Sequence, residues 1–396
     1  MPGALEGLVV LEAAQIMAGP FCGLLLADMG ADVIKVERPG TGDDTRRMGP
    51  AFIGGEAAAF LAINRNKRSV VINLKSECGR EAFCRLAARA DVLLENYRPG
   101  TLESLGLGYD NLQALNPRLI YCSISAFGQT GPYSKRGGFD LVAQGMSGLM
   151  SVTGEPGRPP VKVGVPITDL NAGMYAAYGI LCATIHRMKT GHGQRVDTSL
   201  LEGGIAYTFW ESAEYWSTGN VPGPMGSAHR LSAPYQALRT KDGYVNIGAA
   251  NQATWEALCQ ALGRPELAED PRFKAPTDRR AHSRELAELL ETILSREPTA
   301  HWLDIFERAG VPAGPIYDLS QVYRDPHVLA RGMLADVQHP TAGRFPQIGI
   351  PVKLSATPGR IARPAPRLGE HTDEVLAWAG YAPPEVAALR AAGAVA

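Results

Sequence analysis

Asp169 is the side chain in this sequence best placed for covalent chemistry. It stands in V-G-V-P-I-T-D-L-N-A-G, Val163 to Gly173, where an apolar run breaks at Pro166. Beyond it Leu170, Met174, Ala177, Tyr178, Leu181 and Ile185 recur at three- and four-residue spacing, which predicts a helix. A carboxylate in the first turn of that helix lies beside unpaired backbone N–H groups and the positive dipole end. That setting keeps the group ionised and leaves donors for charge building on an attacked carbonyl. The competing reading is structural: Asp is a favoured N-cap, and residue type alone favours the cap.

Other chemistries lack their residues. The segment Gly7 to Glu37 has a second strand ending in an acid, but only Gly19 and Gly23 stand where a G-x-G-x-x-G turn is needed, and Arg38 follows the acid directly. That excludes a nicotinamide site. No phosphate loop, H-E-x-x-H or G-x-S-x-G elbow occurs. The eight histidines have no metal-ligand spacing; His192 and His229 read as loop residues in glycine-flanked turns, and His371 opens a helix.

The elements that must hold Asp169 are those of an α/β fold. Gly7 to Glu12, Asp32 to Glu37, Ser69 to Leu74, Asp91 to Glu95 and Leu119 to Ser125 read as strands, with helices at Pro20 to Gly30 and Cys78 to Ala90 between them. Alternating strands and helices imply a Rossmann-like parallel sheet covered on both faces. Ligands of such sheets bind beyond the C-terminal strand edges. Those edges carry Gln15 to Gly19, Arg38, Lys75, Asn96 to Arg98 and Ala126 to Thr130. Any one of these cations reads as solvated surface charge, but several on one rim suit a phosphate-bearing molecule.

Ser217 to Pro224 reads as a linker. A hairpin follows, Tyr235 to Arg239 and Tyr244 to Ala249 around T-K-D-G, then helices near 252–262, 282–296 and 299–309. These give a smaller α+β domain at 225–325, after a large domain at 1–216; residues 326–396, with strands near 334–338 and 351–355 and a helix from Asp373, return to the large domain. The length of 396 residues agrees with more than one core, and a net charge of −1 excludes a nucleic-acid surface. Six dispersed cysteines suit free thiols in a reducing compartment. No 18-residue apolar stretch spans a membrane, and the start, Met1-Pro-Gly-Ala-Leu-Glu, lacks the pattern of a leader, so a cytoplasmic protein is expected.

Taken together, several segments give the chain a family likeness. These are A-G-P-F at 18–21, G-A-D-V-I-K-V-E-R-P-G at 30–40, N-R-N-K-R-S-V-V-I-N-L-K at 64–75, E-N-Y-R-P-G at 95–100, G-Q-T-G-P-Y at 128–133, D-L-N-A-G at 169–173, G-V-P-A-G-P at 310–315 and L-G-E-H-T-D-E-V-L at 368–376. In these segments, which run nearly end to end, the chain resembles the class III (CaiB/BaiF-type) coenzyme A transferases. The resemblance implies ring-shaped subunits interlocked as a homodimer, no tightly bound cofactor, and acyl-CoA and carboxylate substrates. Asp169 then matches the family's catalytic aspartate; Arg38, Lys75 and Asn96 match positions binding the CoA nucleotide, with Leu74, Tyr97 and Arg98 beside them, and the Met17–Ala18 backbone lies by the thioester. Arg46 and Arg47 are expected at a distal substrate carboxylate, Phe139 and Asp140 at the substrate, and His229 in a loop over the site.

The related racemases, which exchange the α-proton of 2-methylacyl-CoA, pair the aspartate with the histidine of G-H-D. Here that segment reads Gly138-Phe139-Asp140, leaving a two-base exchange without its imidazole. A non-catalytic CoA-binding protein is the third reading. Within the transferases, Met17, Met48 and Ser104 stand where the formyl/oxalate branch carries Gln, Trp and Arg. The overall likeness is to enzymes that use succinyl-CoA with C4 to C6 dicarboxylates, of the succinate–hydroxymethylglutarate type.

Overall fold

In this computed structural model residues 3–396 are described; Met1 and Pro2, the first residues of the start read as carrying no leader, lie outside them. Two compact units divide the chain, Met1–Leu149 with Lys162–Ser217 and Pro326–Ala396, and Met150–Val161 with Thr218–Asp325.

The first unit is built on six strands: β1 (Val9–Ala13), β2 (Asp32–Glu37), β3 (Lys67–Val71), β4 (Val92–Glu95), β5 (Ile120–Ser125) and β6 (Arg195–Ser199). Their order is β3-β2-β1-β4-β5-β6 and every pairing is parallel. Because helices cover both faces, β1 to β5 are almost wholly buried, while the edge strand β6 is buried only at Thr198 and Ser199. Successive residues point to opposite sides: Leu11, Ile34, Leu93 and Tyr121 enter one core with Phe83 and Leu86, while Val10, Val33, Leu94 and Ile120 enter the other with Leu26, Ala176 and Ile180. The direction of winding reverses between β1 and β4. In such sheets the crevice beyond the strand ends at that reversal receives the ligand.

Five helices matter to the site: α1 (Ala18–Asp28), α2 (Glu77–Ala87), α3 (Asp140–Met146), α4 (Ile167–Thr190) and α5 (Phe209–Thr218). The helix α4 forms where the spacing predicts, but with its faces exchanged. Its buried side is Thr168, Asn171, Ala172, Ala176, Ile180 and Ala183, small enough to lie close to α1. The apolar stripe points outward, with Met174 51%, Tyr178 66% and Ile185 54% exposed. The helix α5 buries none of its residues, and Trp216 is 79% exposed.

Two local expectations are corrected. The strand expected near 351–355 is irregular; it opens at Pro351, which lacks an N–H for a ladder. The partner of Leu334–His339 is instead Gly343–Ile348, in an antiparallel hairpin. The third strand begins at Lys67 rather than Ser69, because buried Glu12 accepts from Lys67 and half-exposed Asp32 from Arg68, so both cations are accommodated within the strand.

In the second unit Tyr235–Arg239 and Tyr244–Gly248 form the hairpin, extended by Ala313–Pro315. Helices Gln252–Ala261, Ser283–Leu294 and Thr299–Ala309 enclose a core around Trp255, Leu286, Leu290, Trp302 and Phe306. No helix among the described residues is long and apolar enough to cross a membrane.

Candidate active site

A cavity of about 410 Å³ opens at the winding reversal, between the C-terminal ends of β1 and β4. Asp169 lines it as the third residue of α4. The cap reading does not hold: Pro166 precedes the helix and caps nothing with its side chain. The capping is done by Asp140, the first residue of α3. Its Oδ1 accepts from the Thr168 backbone N–H at 3.0 Å and from Thr168 Oγ1 at 2.8 Å, and its Oδ2 accepts from Gln144 Nε2 at 2.7 Å. Asp169 is thereby released from a structural task. Its carboxyl is pushed up from 3.8 to about 7, by burial first and by the neighbouring Asp140 carboxylate second. The helix end therefore does not hold it fully ionised, as the sequence implied; desolvation outweighs the dipole.

Gln15, Ile16, Met17 and Ala18, the loop that carries β1 into α1, line the same cavity as Asp169. The N-terminus of α1 has no side-chain cap and no acid in its first turn, so the first N–H groups of the helix are left for a ligand. Asn96 fixes the loop, accepting from Gln15 N–H at 2.9 Å and donating to Gln15 C=O at 2.8 Å. Tyr97 and Arg98 continue the lining; the Tyr97 N–H donates to Glu95 Oε2 at 2.8 Å, and burial pushes Glu95 up to about 7.

The remaining expected residues fall into two groups. Arg38 and Lys75 follow β2 and β3 on the same rim, outside the cavity lining, with Leu74 half-buried beside the exposed Lys75. Arg38 donates to Gly42 C=O from both Nε and Nη2 at 3.2 Å and pairs with Asp44 at 2.6 Å. Arg46 is a correction. It makes a side-on pair with Glu37 at 2.7 Å on both nitrogens, donates to Pro366 C=O at 3.0 Å and lies 3.6 Å over the Phe60 ring. Its guanidinium is committed inside the protein and does not line the cavity. Arg47 pairs with Asp44 at 2.8 Å on the surface, also off the lining.

Phe139, 72% exposed, stands on the cavity wall. His229 belongs to the second unit, its ring 4.8 Å from Tyr235. Arg136 was missed by the sequence reading. It lines the cavity with its guanidinium 3.9 Å over the Tyr133 ring. The signal for it was the basic pair Lys135-Arg136 just before Gly137-Gly138. No metal-binding group of three or more His, Cys, Asp or Glu occurs among the described residues.

A half-buried carboxylate in a cavity that the α1 N-terminus also lines, with Arg98 and Arg136 on the walls, can attack a carbonyl while the helix N–H groups stabilise the oxyanion. The profile described as CoA-transferase family III matches residues 5–372. The chain is 42% identical over 372 residues to the succinyl-CoA:glutarate CoA-transferase of Homo sapiens, covering 94% of this chain and 85% of that protein. It is 42% identical over 379 residues to a succinate–glutarate CoA-transferase of Agrobacterium fabrum, covering 94% and 95%. A crystal structure of a CaiB/BaiF family protein from Brucella suis superimposes with a TM-score of 0.86 at 42% identity, covering 96% of this chain and 100% of that one. The chain belongs to CoA-transferase family III.

Proposed function

We propose that this enzyme moves coenzyme A from succinyl-CoA, or another dicarboxylyl-CoA, to a free dicarboxylic acid of similar length, with Asp169 as the covalent carrier. The supporting observation is the uncapped, desolvated Asp169 carboxylate in the cavity that the free end of α1 also lines. The Asp169 carboxylate attacks the thioester carbonyl, and the tetrahedral adduct collapses to a mixed anhydride and CoA thiolate. The thiolate attacks the aspartyl carbonyl, giving an aspartyl-CoA thioester and the free donor acid. The acceptor carboxylate attacks that thioester, and the expelled thiolate takes the acceptor's acyl group and restores Asp169. Every step exchanges a thiolate for a carboxylate, so no proton has to move and no catalytic histidine is required. Each step passes through an oxyanion, for which the Met17–Ala18 end of α1 supplies donors. Burial favours the neutral acyl states of Asp169 over the anion it starts from.

The groups on the lining that meet anionic ends of the substrates are Arg98 and Arg136, with Arg38 and Lys75 on the outer rim toward the CoA phosphates. The subunits are ring-shaped and interlock as a homodimer; the exposed apolar faces of α4 and α5 support this, being too large to suit water. Six free cysteines suit a cytoplasmic location. The test mixes purified protein with succinyl-CoA and C4 to C6 dicarboxylates and follows new thioesters by mass spectrometry. New dicarboxylyl-CoA from wild type and none from Asp169→Asn is the expected result. Deuterium uptake into a 2-methylacyl-CoA without exchange between acids would replace this reading with the racemase.

A further inference from the structure

Ile16 holds a backbone conformation that its residue type resists. Its φ is +68°, one of two positive values at non-glycine positions among the described residues, and a β-branched side chain is especially disfavoured there. Such strain persists only where neighbouring groups over-determine it. Ile16 lies in the loop that lines the same cavity as Asp169, directly before the Met17–Ala18 end of α1. On one side the Asn96 amide grips Gln15. On the other the Ile16 N–H donates to Asp43 Oδ1 at 3.1 Å.

Asp43 is itself held from below. Its Oδ2 lies 2.8 Å from the ammonium of Lys35, both side chains being buried. Lys35 also donates to Glu12 Oε1 at 2.9 Å and to Ala14 C=O at 2.8 Å. Oδ1 further accepts from Thr45 N–H at 2.9 Å and from its hydroxyl at 2.8 Å, and the Asp43 N–H donates to Glu37 at 2.9 Å. A carboxylate so fixed cannot follow Ile16 if the loop relaxes, so the loop must follow the carboxylate.

We propose that Asp43, anchored on the buried Lys35, is a positioning residue that holds Ile16 left-handed and so aims the Met17–Ala18 N–H groups into the site. It touches no reacting atom. The proposal rests on the transferase reading for its kinetic consequence but not for its structural one, and the experiment separates the two. Asp43→Ala removes the acceptor; Asp43→Asn keeps the shape and one acceptor oxygen but loses the anionic partner of Lys35; Ile16→Gly removes the cost of positive φ. Each is made in the full chain, together with Asp43→Ala/Ile16→Gly, and checked for folding by circular dichroism.

Amide exchange of the segment around Ile16 is read by mass spectrometry. Asp43→Ala is expected to exchange there at least ~10-fold faster than wild type, and Asp43→Asn to fall between the two. In CoA transfer from succinyl-CoA, Asp43→Ala is expected to lose ~100-fold in kcat with KM within about threefold, the pattern of a lost transition-state interaction. Asp43→Asn should stay within about tenfold of wild type, and Ile16→Gly should restore ~10-fold to Asp43→Ala. Unchanged exchange in Asp43→Ala overturns the proposal whatever the protein catalyses. Equal losses in Asn and Ala variants without rescue by Ile16→Gly overturn it too, leaving Asp43 a structural residue. If Asp43→Ala does not fold, Asp43→Asn decides: exchange around Ile16 no faster than in wild type refutes the latch. Absence of transfer by wild type would refute the proposed function alone, because the exchange result still decides the latch.

Discussion

Asp169→Asn should make the protein both inactive and more stable, and the second effect depends on pH in a defined direction. The folded-state pKa of Asp169 is raised from 3.8 to about 7, so the folded protein holds this proton more tightly than the unfolded chain. Below the unfolded value the group costs nothing. As pH rises through the window from about 4 to about 7 the unfolded chain ionises freely while the folded one must place a charge in the cavity, and stability is lost. Above pH 7 the loss is constant. A shift of about 3 units at 1.36 kcal/mol each sets a ceiling of ~4 kcal/mol. Water entering the open cavity screens part of this, and ~2 kcal/mol is the working value. For a unit of this size that corresponds to roughly 3–5 °C in melting temperature.

The assay is a series of thermal melts of wild type and Asp169→Asn from pH 4 to 8.5. All other titrating groups are common to both, so the difference curve isolates this carboxyl. It should be near zero at pH 4, rise in favour of the variant, and level off above pH 7.5, while transfer activity falls by at least ~10⁴. A variant no more stable than wild type at pH 8, or a difference flat across the range, would refute the argument that burial makes Asp169 reactive.

Four further outcomes follow from the same geometry. In wild type kcat/KM for succinyl-CoA should rise with pH along a limb centred near 7, since only the ionised Asp169 attacks; a plateau down to pH 5 in initial rates contradicts this. Asp140→Asn removes the second cause of that shift, so the limb should move to lower pH, while its amide oxygen still accepts from Thr168 and stability by chemical denaturation falls by less than about 1 kcal/mol. Arg136→Ala should weaken transfer with kcat/KM down ~10-fold or more, mainly in KM, whereas Arg47→Ala, off the lining, should stay within about twofold in steady-state assays. Tyr178→Asp on the outer stripe of α4 should break subunit association in light scattering, and a wild-type monomer would refute the dimer outright.

The sheet was legible because fully buried strands leave continuous apolar runs, and the rim because charged residues stood at the strand ends. The faces of α4 were not. Met174, Tyr178 and Ile185 carry the periodicity of a core, and a hydrophobic stripe does not say which body covers it. The side that actually packs is mostly alanine with Thr168, Asn171 and the single isoleucine Ile180, a pattern that periodicity weights lightly. Asp169 was found, but its freedom from capping was not, since Asp140 reaches it from another helix 29 positions earlier in the chain. Arg46 failed for a similar reason: its partner Glu37 is near in sequence, yet only the folded turn between them sets both nitrogens against the carboxylate. Arg136 went unread because a basic pair in a glycine-rich loop has no periodic signature.

Gly173 sits one turn along α4 from Asp169, where an added methyl would come within 2.6 Å of the Ala18 carbonyl and 3.1 Å of the Phe21 ring. In the proposed mechanism nucleophile and donors are thus mounted on two rods touching at a bare spot, and their separation is set by that crossing instead of by flexible side chains. Changes to the walls, as at Phe139 or Arg136, can then retune which acids are accepted while the reacting pair keeps its alignment.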